Sequence, residues 1–418
     1  MDFINHLKAY LKDEEISSLL ESLKGESKHA ALLNLNKMSD EQFLHLFPHV
    51  TKHPVVPHAY IYKKDEYDLG KSIYYALGCF YLQEPSAMVP SFLLPCKEDQ
   101  LILDMCAAPG GKSMQTSLKM KNTGLIISND LSKSRGQAIV ENVERMGLGN
   151  LIVTNNDLEK CYQQLESTFD HIILDAPCSG SGMFRKEAKM EEDWSYNKVL
   201  KFAEIQKRLL SIAYFMLKPG GTICYSTCSF SEEEDEDVIK NLLDNSDAEL
   251  IKIEDKSFYI NSKKPYGVHL LPNIFPGEGH YICLIKKPGQ LFTKVNSFNP
   301  DKYGFNKTYK YGDYLFGLNA QYNFKCFNVL RLGVKIGELF NKGEIRYDYH
   351  YSHYIDRFEK ELEISENDLK KYLSGETLNI TVDKGLYLLK FSGINVDITN
   401  SDGRIIKNHY PKGLRRKY

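Results

Sequence analysis

Two cysteines stand just past short apolar runs, in Asp175-Ala176-Pro177-Cys178-Ser179 and in Ser226-Thr227-Cys228-Ser229. A thiolate that adds to carbon 6 of a cytosine ring turns that ring into an enamine-like species, whose carbon 5 can then attack an activated methyl group. A free cysteine titrates near pH 8.5, so the site must supply a base, a dipole or a positive neighbour. Asp175 suits a hydrogen bond to the ring N3–H or the exocyclic amine, where charge develops. The second thiol suits the resolution of the adduct, once the proton on carbon 5 has left. The residues alone leave open which cysteine has which role. Cys79, Cys96, Cys161, Cys224, Cys283 and Cys326 read as plain buried hydrophobes.

A second signal is the run Asp104-Met105-Cys106-Ala107-Ala108-Pro109-Gly110-Gly111-Lys112-Ser113. Glycines between a strand and a helix N-terminus let backbone come close to a ligand, and free N–H groups there favour an anionic group. The run is neither GxxxxGK[ST] nor GxGxxG, so phosphate hydrolysis and dinucleotide binding lose support. A plain strand-to-helix turn uses the same glycines, but three carboxylates join them. Asp130 ends the next apolar run, Asp157 follows the third and Asp175 ends the fourth. Acids at the carboxyl ends of parallel strands line the ligand crevice of an open α/β sheet. A nucleotide-like cofactor is expected, with Arg135 either holding it or bridging to Asp130.

The elements that must position these residues follow from apolar periodicity. Strands are expected at 101–105, 124–130, 150–155, 170–176, 221–227, 249–254 and 279–287, with helices near 111–120, 134–147 and 196–217. Strands alternating with helices at this spacing predict βαβ units and a parallel sheet covered on both faces. The acidic run Glu232 to Asp237 behind Ser231 reads as a helix N-terminus, where negative charge suits the dipole, and not as a metal site. His53, His58, His269 and His280 have no ligand-like spacing and read as ordinary surface or hydrogen-bonded residues.

The chain has 418 residues, with 53 Lys+Arg against 55 Asp+Glu, a net charge of −2 and 42% hydrophobic residues. That composition excludes disorder and a uniformly basic nucleic-acid coat. No stretch reaches the length of a membrane span and the start lacks the pattern of a secretory signal. Nine cysteines without a CxxC pair suggest neither a disulfide framework nor a zinc site, so a reducing cytoplasm is expected. Between Lys286 and Arg346, eleven Lys/Arg face four Asp/Glu among twelve Phe and Tyr residues. Most of those rings are expected in a core and the basic excess on RNA. Residues 351–375 look helical, and short β-like runs follow. Three regions are expected: an N-terminal accessory RNA-binding segment over 1–90, a catalytic domain over 91–290 and a C-terminal RNA-binding region over 291–418.

With both cysteine motifs and the glycine loop in hand, the chain resembles the RsmB/RsmF group of Nop/Sun-type RNA 5-methylcytosine methyltransferases, and within it the RsmF-like branch. QEPSAM (83–88), DMCAAPGGKS, NDLSKSR, DAPCSGSGMF, LKPGG, YSTCSFSEEEDEDVI and GEGHYICLIKK carry the resemblance over roughly residues 70 to 290. It implies a class I S-adenosylmethionine-dependent methyltransferase, with a Rossmann-like seven-stranded α/β sheet whose last strand is antiparallel. It also implies a C-terminal α+β, PUA-like RNA-binding region. The cofactor S-adenosylmethionine would be held by Cys106, Ala107, Ala108, Pro109, Gly110, Gly111 and Lys112, with Asp130 at the ribose and Asp157 near the adenine. Asp175 would lie between cofactor and base, Cys228 would be the nucleophile and Cys178 would assist product release, with no metal. DNA cytosine-5 methyltransferases use a Pro-Cys cysteine as nucleophile, but the Thr227-Cys228 pair argues against that reversal. The expected substrate is cytidine in structured RNA, 16S ribosomal RNA first. Transfer RNA, or an RNA-binding assembly factor without activity, are the alternatives.

Overall fold

The computed structural model describes all residues except 1–2, 9–10, 187–190, 255–259, 262–265, 294–298, 321, 324 and 341–343. Of the basic and aromatic stretch, Lys294, Phe298, Phe324 and Lys342 therefore lie outside the described residues. Among the described residues, no helix is long and apolar enough to cross a membrane.

The N-terminal region opens with two helices, Phe3–Leu7 and Asp13–Leu23. Behind them β1 (His29–Leu33), β2 (Thr51–Lys52), β3 (Ala59–Tyr62) and β4 (Phe80–Gln83) form an antiparallel sheet in the order β2-β3-β1-β4. Helix Pro85–Leu93 leads into the catalytic region. Pro85 opens it, and the Glu84 carboxylate caps it by accepting from the Ser86 and Ala87 amides at 2.8 Å each. Proline at a first helical position costs no hydrogen bond, because that N–H has no intrahelical partner.

The catalytic sheet is built from β5 (Leu101–Asp104), β6 (Leu125–Asn129), β7 (Leu151–Thr154), β8 (Phe169–Asp175), β9 (Leu217–Thr227), β10 (Glu249–Ile251), β11 (Ile260–Asn261), β12 (Val268–Leu270) and β13 (His280–Lys286). Strands β5 to β9 are parallel in the order β7-β6-β5-β8-β9, and β13 is antiparallel to β9. Their residues are buried almost throughout because helices cover both faces, as continuous apolar runs require. Helices Gly111–Lys119, Lys133–Met146 and Tyr196–Met216 fall within a residue of the expected ranges.

Among the described residues the sheet has ten strands, three more than the seven expected. β11 and β12 continue it beyond β13. The third addition comes from the C-terminal region, which contains β14 (Lys307–Tyr311), β15 (Tyr314–Leu318), β16 (Val329–Leu332), β17 (Val334–Leu339) and β18 (Ile345–Tyr347). β14, β15, β17 and β18 make their own antiparallel sheet, while β16 leaves it to pair with the edge of β7. Helix Tyr349–Tyr354, β19 (Glu361–Glu363) and helix Glu366–Leu373 occupy the stretch read as one helical segment. β20 (Gly385–Phe391) and β21 (Ile394–Ser401) complete a three-stranded sheet.

Candidate active site

Each expected site residue sits at the carboxyl edge of the parallel strands, and the topology brings them together. The loop after β5 turns through Gly110 at φ 108°, a left-handed conformation that side chains resist, and the helix begins at Gly111. Behind this loop the Asp104 carboxylate accepts from the Ser113 hydroxyl at 2.7 Å, and burial pushes its carboxyl up to about 7. Its second oxygen is buried and takes no hydrogen bond from the protein. Asp130, buried at the end of β6, accepts from the Ala108 amide at 3.2 Å and the Ser132 amide at 2.8 Å. Arg135 bridges to Asp130 at 3.2 Å and also donates to the Ala108 carbonyl at 3.2 Å. Asp157 lies past β7, where it accepts from the Glu159 amide and pairs with Lys160 at 3.0 Å. A glycine turn, a helix N-terminus and a fixed acid at the next strand end fit a nucleoside-bearing cofactor.

At the floor of the crevice, Asp175 meets three partners. Lys112 reaches one oxygen at 2.7 Å, while the Ser226 hydroxyl at 2.8 Å and His280 Nε2 at 3.3 Å share the other. Burial alone would raise the Asp175 carboxyl, but Lys112 and His280 outweigh it and hold the group well below the usual carboxylate range. Lys112 is therefore the counter-ion of this carboxylate. It is pinned there because its own ammonium is nearly buried.

The parallel pairing of β8 with β9 sets Asp175 beside Ser226. The two loops that follow run together and carry Cys178 and Cys228, whose sulfur atoms are 2.9 Å apart; both thiols are free and partly exposed. The hydrogen bond to Cys228, reinforced by burial, raises the Cys178 thiol well above its ordinary value. Gly182 is required beside them, since a Cβ there would stand 2.7 Å from the Cys228 carbonyl oxygen.

The acidic run leads into a helix N-terminus as its sequence suggested, but its burial was not legible there. The helix starts at Glu236, and Glu234, Asp235 and Glu236 are fully or almost fully buried. Glu234 accepts from the Ser179 amide at 2.8 Å, from the Ser179 hydroxyl, from the Ser229 hydroxyl at 2.7 Å and from Gln206 at 3.0 Å. Asp235 takes the Thr227 hydroxyl at 2.5 Å, and Glu236 meets His269 at 2.7 Å. Asp235, Glu236 and His269 are the one group among the described residues whose ligand atoms converge as a metal site's would. His280, read as an ordinary residue, reaches Asp175. Its signal was its place at the start of the antiparallel strand next to β9.

The N-terminal helices brace these loops. Leu7, Ile16 and Leu19 pack with Phe230 and Leu271, and the Phe3 ring meets Phe184 edge-on at 5.0 Å.

Residues 91–286 match the family described as 16S rRNA methyltransferase RsmB/F. Residues 1–85 match the N-terminal domain of 16S rRNA methyltransferase RsmF, and 359–416 match the methyltransferase RsmF PUA domain. A tRNA (cytosine(49)-C(5))-methyltransferase of Pyrococcus abyssi is 38% identical, over 54% of this chain and 76% of its own length. A ribosomal RNA small subunit methyltransferase F of Aeromonas salmonicida is 28% identical, over 83% of this chain and 81% of its own. A solved methyltransferase homolog protein from Pyrococcus horikoshii superposes with a TM-score of 0.59 at 27% identity, over 68% of this chain and 93% of that one.

Proposed function

We propose a reaction from one premise: the chain belongs to the RsmB/F family of 16S rRNA methyltransferases, with N-terminal and PUA domains of the RsmF type. Its cofactor is S-adenosylmethionine, which supplies an electrophilic methyl group when bound at the glycine loop. The acceptor we infer is carbon 5 of a cytidine in RNA, 16S ribosomal RNA first, reached through a covalent bond between Cys228 and carbon 6. The observation that carries this reading is the pair of free thiols beside the Asp175 carboxylate, at the same strand edge as the glycine loop. The cytosine-C5 activity named for the Pyrococcus abyssi relative supports the choice of atom.

The residues divide the work as follows. A cytosine stacked in a helix hides carbons 5 and 6, so the target base enters unstacked. Cys228, in contact with the Cys178 sulfur, attacks carbon 6 as a thiolate. Asp175, kept anionic by Lys112, accepts from the exocyclic amine or the ring N3–H as charge develops there. Carbon 5 then takes the methyl group, which leaves the cofactor as S-adenosylhomocysteine, and the carbon 5 proton passes to water. Cys228 leaves as thiolate, with Cys178 assisting that release. The basic excess after residue 286 supplies phosphate contacts.

Methyl transfer from labelled cofactor to naked 16S rRNA, small ribosomal subunits and tRNA tests the reading. Label in 5-methylcytidine of rRNA or subunits is the expected outcome. Label confined to tRNA would favour the second reading, which the Pyrococcus abyssi relative supports. RNA binding without transfer would leave an assembly factor.

A further inference from the structure

The loop that bears Asp157 is held from two sides. On the catalytic side, the Asn129 side chain accepts from the Asn156 amide at 2.9 Å and donates to the Asn156 carbonyl at 3.0 Å. The Asn155 side chain donates to the carbonyls of Asp130 and Leu131, both at 2.8 Å. These bonds tie the loop to the acid at the end of β6.

The other side comes from the far end of the sequence. The Asn328 amide donates to the Asn156 side-chain oxygen at 2.9 Å, and the Asn156 side-chain nitrogen donates to the Cys326 carbonyl at 3.2 Å. The Asn155 amide donates to the Asn328 carbonyl at 2.9 Å. Directly after this, β16 pairs with β7, with Val329 opposite Thr154 and Leu332 opposite Ile152. Phe327 is buried in the apolar cluster that includes Leu158 and Leu165. Leu330 lies over the first turns of helix Lys133–Met146, so close that a Cβ on Gly136 would stand 2.7 Å from it. Arg331 closes the strand with an ion pair to Glu144 on the same helix.

Residues 326–332 lie outside the stretches matched by the methyltransferase domain and by the PUA domain. We propose that this segment is a working part of the cofactor site, and that Asn156 is the positioning residue that locks the adenosyl-facing loop to it. The inference rests on the reading of Asp130 and Asp157 as cofactor-facing. The division of labour within Asn156 makes it testable. Its backbone serves Asn129 and its side chain serves residues 326 and 328, so Asn156→Ala removes two of the three hydrogen bonds on the second side, sparing only that of the Asn155 amide to the Asn328 carbonyl, and leaves the first side intact. β16 belongs to the same chain segment as the sheet of β14, β15, β17 and β18. The basic, aromatic surface and the cofactor loop are therefore connected through one strand, with no flexible linker between them.

The test measures S-adenosylhomocysteine binding by calorimetry in the full-length protein, beside hydrogen exchange and thermal melts. Asn156→Ala is expected to weaken binding about tenfold, the loss of two modest hydrogen bonds. The cofactor KM should rise by a similar factor while kcat and RNA affinity hold. Arg331→Met, which loosens β16 without touching the loop, should show a smaller weakening in the same direction. In the unmodified protein the ligand should protect amides at 155–158 and at 326–330 together, and in Asn156→Ala only the first set. Unchanged affinity in both variants, or protection confined to 155–158 in the unmodified protein, overturns the proposal alone. An unmodified protein that binds no S-adenosylhomocysteine overturns the cofactor reading itself and the proposal with it. Should Asn156→Ala not fold, Arg331→Met and the exchange pattern of the unmodified protein decide.

Discussion

A single carboxyl, that of Glu234, takes bonds from Ser179 and Ser229, and each of these serines directly follows one of the two cysteines. One side chain thus sets the spacing of both thiols. Its removal would strand buried donors, each at a cost of about 1–3 kcal/mol. Glu234→Ala is therefore expected to cut methyl transfer by roughly ten- to a hundredfold and to slow alkylation of Cys228 by iodoacetamide. Glu234→Gln, which keeps the shape and one acceptor, should restore most of both, and equal loss in the two variants would assign the effect to charge and not to spacing. The cysteines themselves give a sharper outcome. Cys178→Ala should accumulate an RNA–protein adduct visible on denaturing gels, and Cys228→Ala should form none. An adduct that survives loss of Cys228 reverses the two roles. The cysteines, the glycine loop and the aspartates were legible because each stands at the end of an apolar run. Glu234 was not. A run of acids in sequence marks a helix N-terminus, and only the packing of helix Tyr196–Met216 and the serine loops shows that three of them are interior.

At the scale of elements, the strands from β5 to β9 were legible because buried parallel strands are unbroken apolar runs flanked by glycine and aspartate. β1 was not, since His-Ala-Ala-Leu-Leu has the composition of a helix and becomes a strand only between β3 and β4. β16 was missed for a related reason. Its pairing partner, β7, lies far away in sequence, and no local pattern reports a strand that joins a distant sheet. The last two strands were read correctly, but not the acid buried within them. Asp397 on β21 accepts from the Tyr372 hydroxyl at 2.8 Å and the Ser352 hydroxyl at 3.3 Å, and burial pushes its carboxyl up to about 7. Between its ordinary 3.8 and about 7, the folded chain keeps a proton that the unfolded chain releases. Stability therefore falls as pH rises through that window and is level above it. Asp397→Asn removes the titrating group. The stability of the natural protein minus that of Asp397→Asn should drop by roughly 4 kcal/mol from pH 4 to pH 8 in urea titrations. A flat difference, or a rise, would show that Asp397 is ionised throughout.

Across the whole molecule, the boundaries drawn by sequence similarity do not coincide with the cores. One apolar cluster joins Leu33, Phe43 and Phe80 of the N-terminal region to Leu369, Tyr372 and Leu389 of the C-terminal one. The Tyr349 hydroxyl donates to the Ala76 carbonyl at 3.2 Å, Tyr74 meets Phe391 with ring centroids 6.2 Å apart, and Arg416 donates to the Gly70 carbonyl at 3.1 Å. The catalytic region is stitched to the same seam. Arg145, stacked 3.9 Å over the Tyr75 ring, donates to the carbonyls of Tyr75 and Phe80, while Asn34 donates to the Met146 carbonyl at 2.9 Å. A PUA module on a tether would leave the remainder intact when removed, but this one covers the floor of the N-terminal sheet. Each large apolar side chain uncovered costs about 1.5–3 kcal/mol, and a handful exhausts the 5–15 kcal/mol by which a folded chain is stable. A protein cut after residue 358 is therefore expected to lose its native melt and aggregate, and the full chain to unfold in one calorimetric transition whose enthalpy matches the van't Hoff value. A soluble 1–358 fragment that melts cooperatively and still binds S-adenosylhomocysteine would show instead that the catalytic and N-terminal regions fold without the module. The seam would then be an interface between finished domains, and the RNA-facing end could move relative to the crevice during recognition.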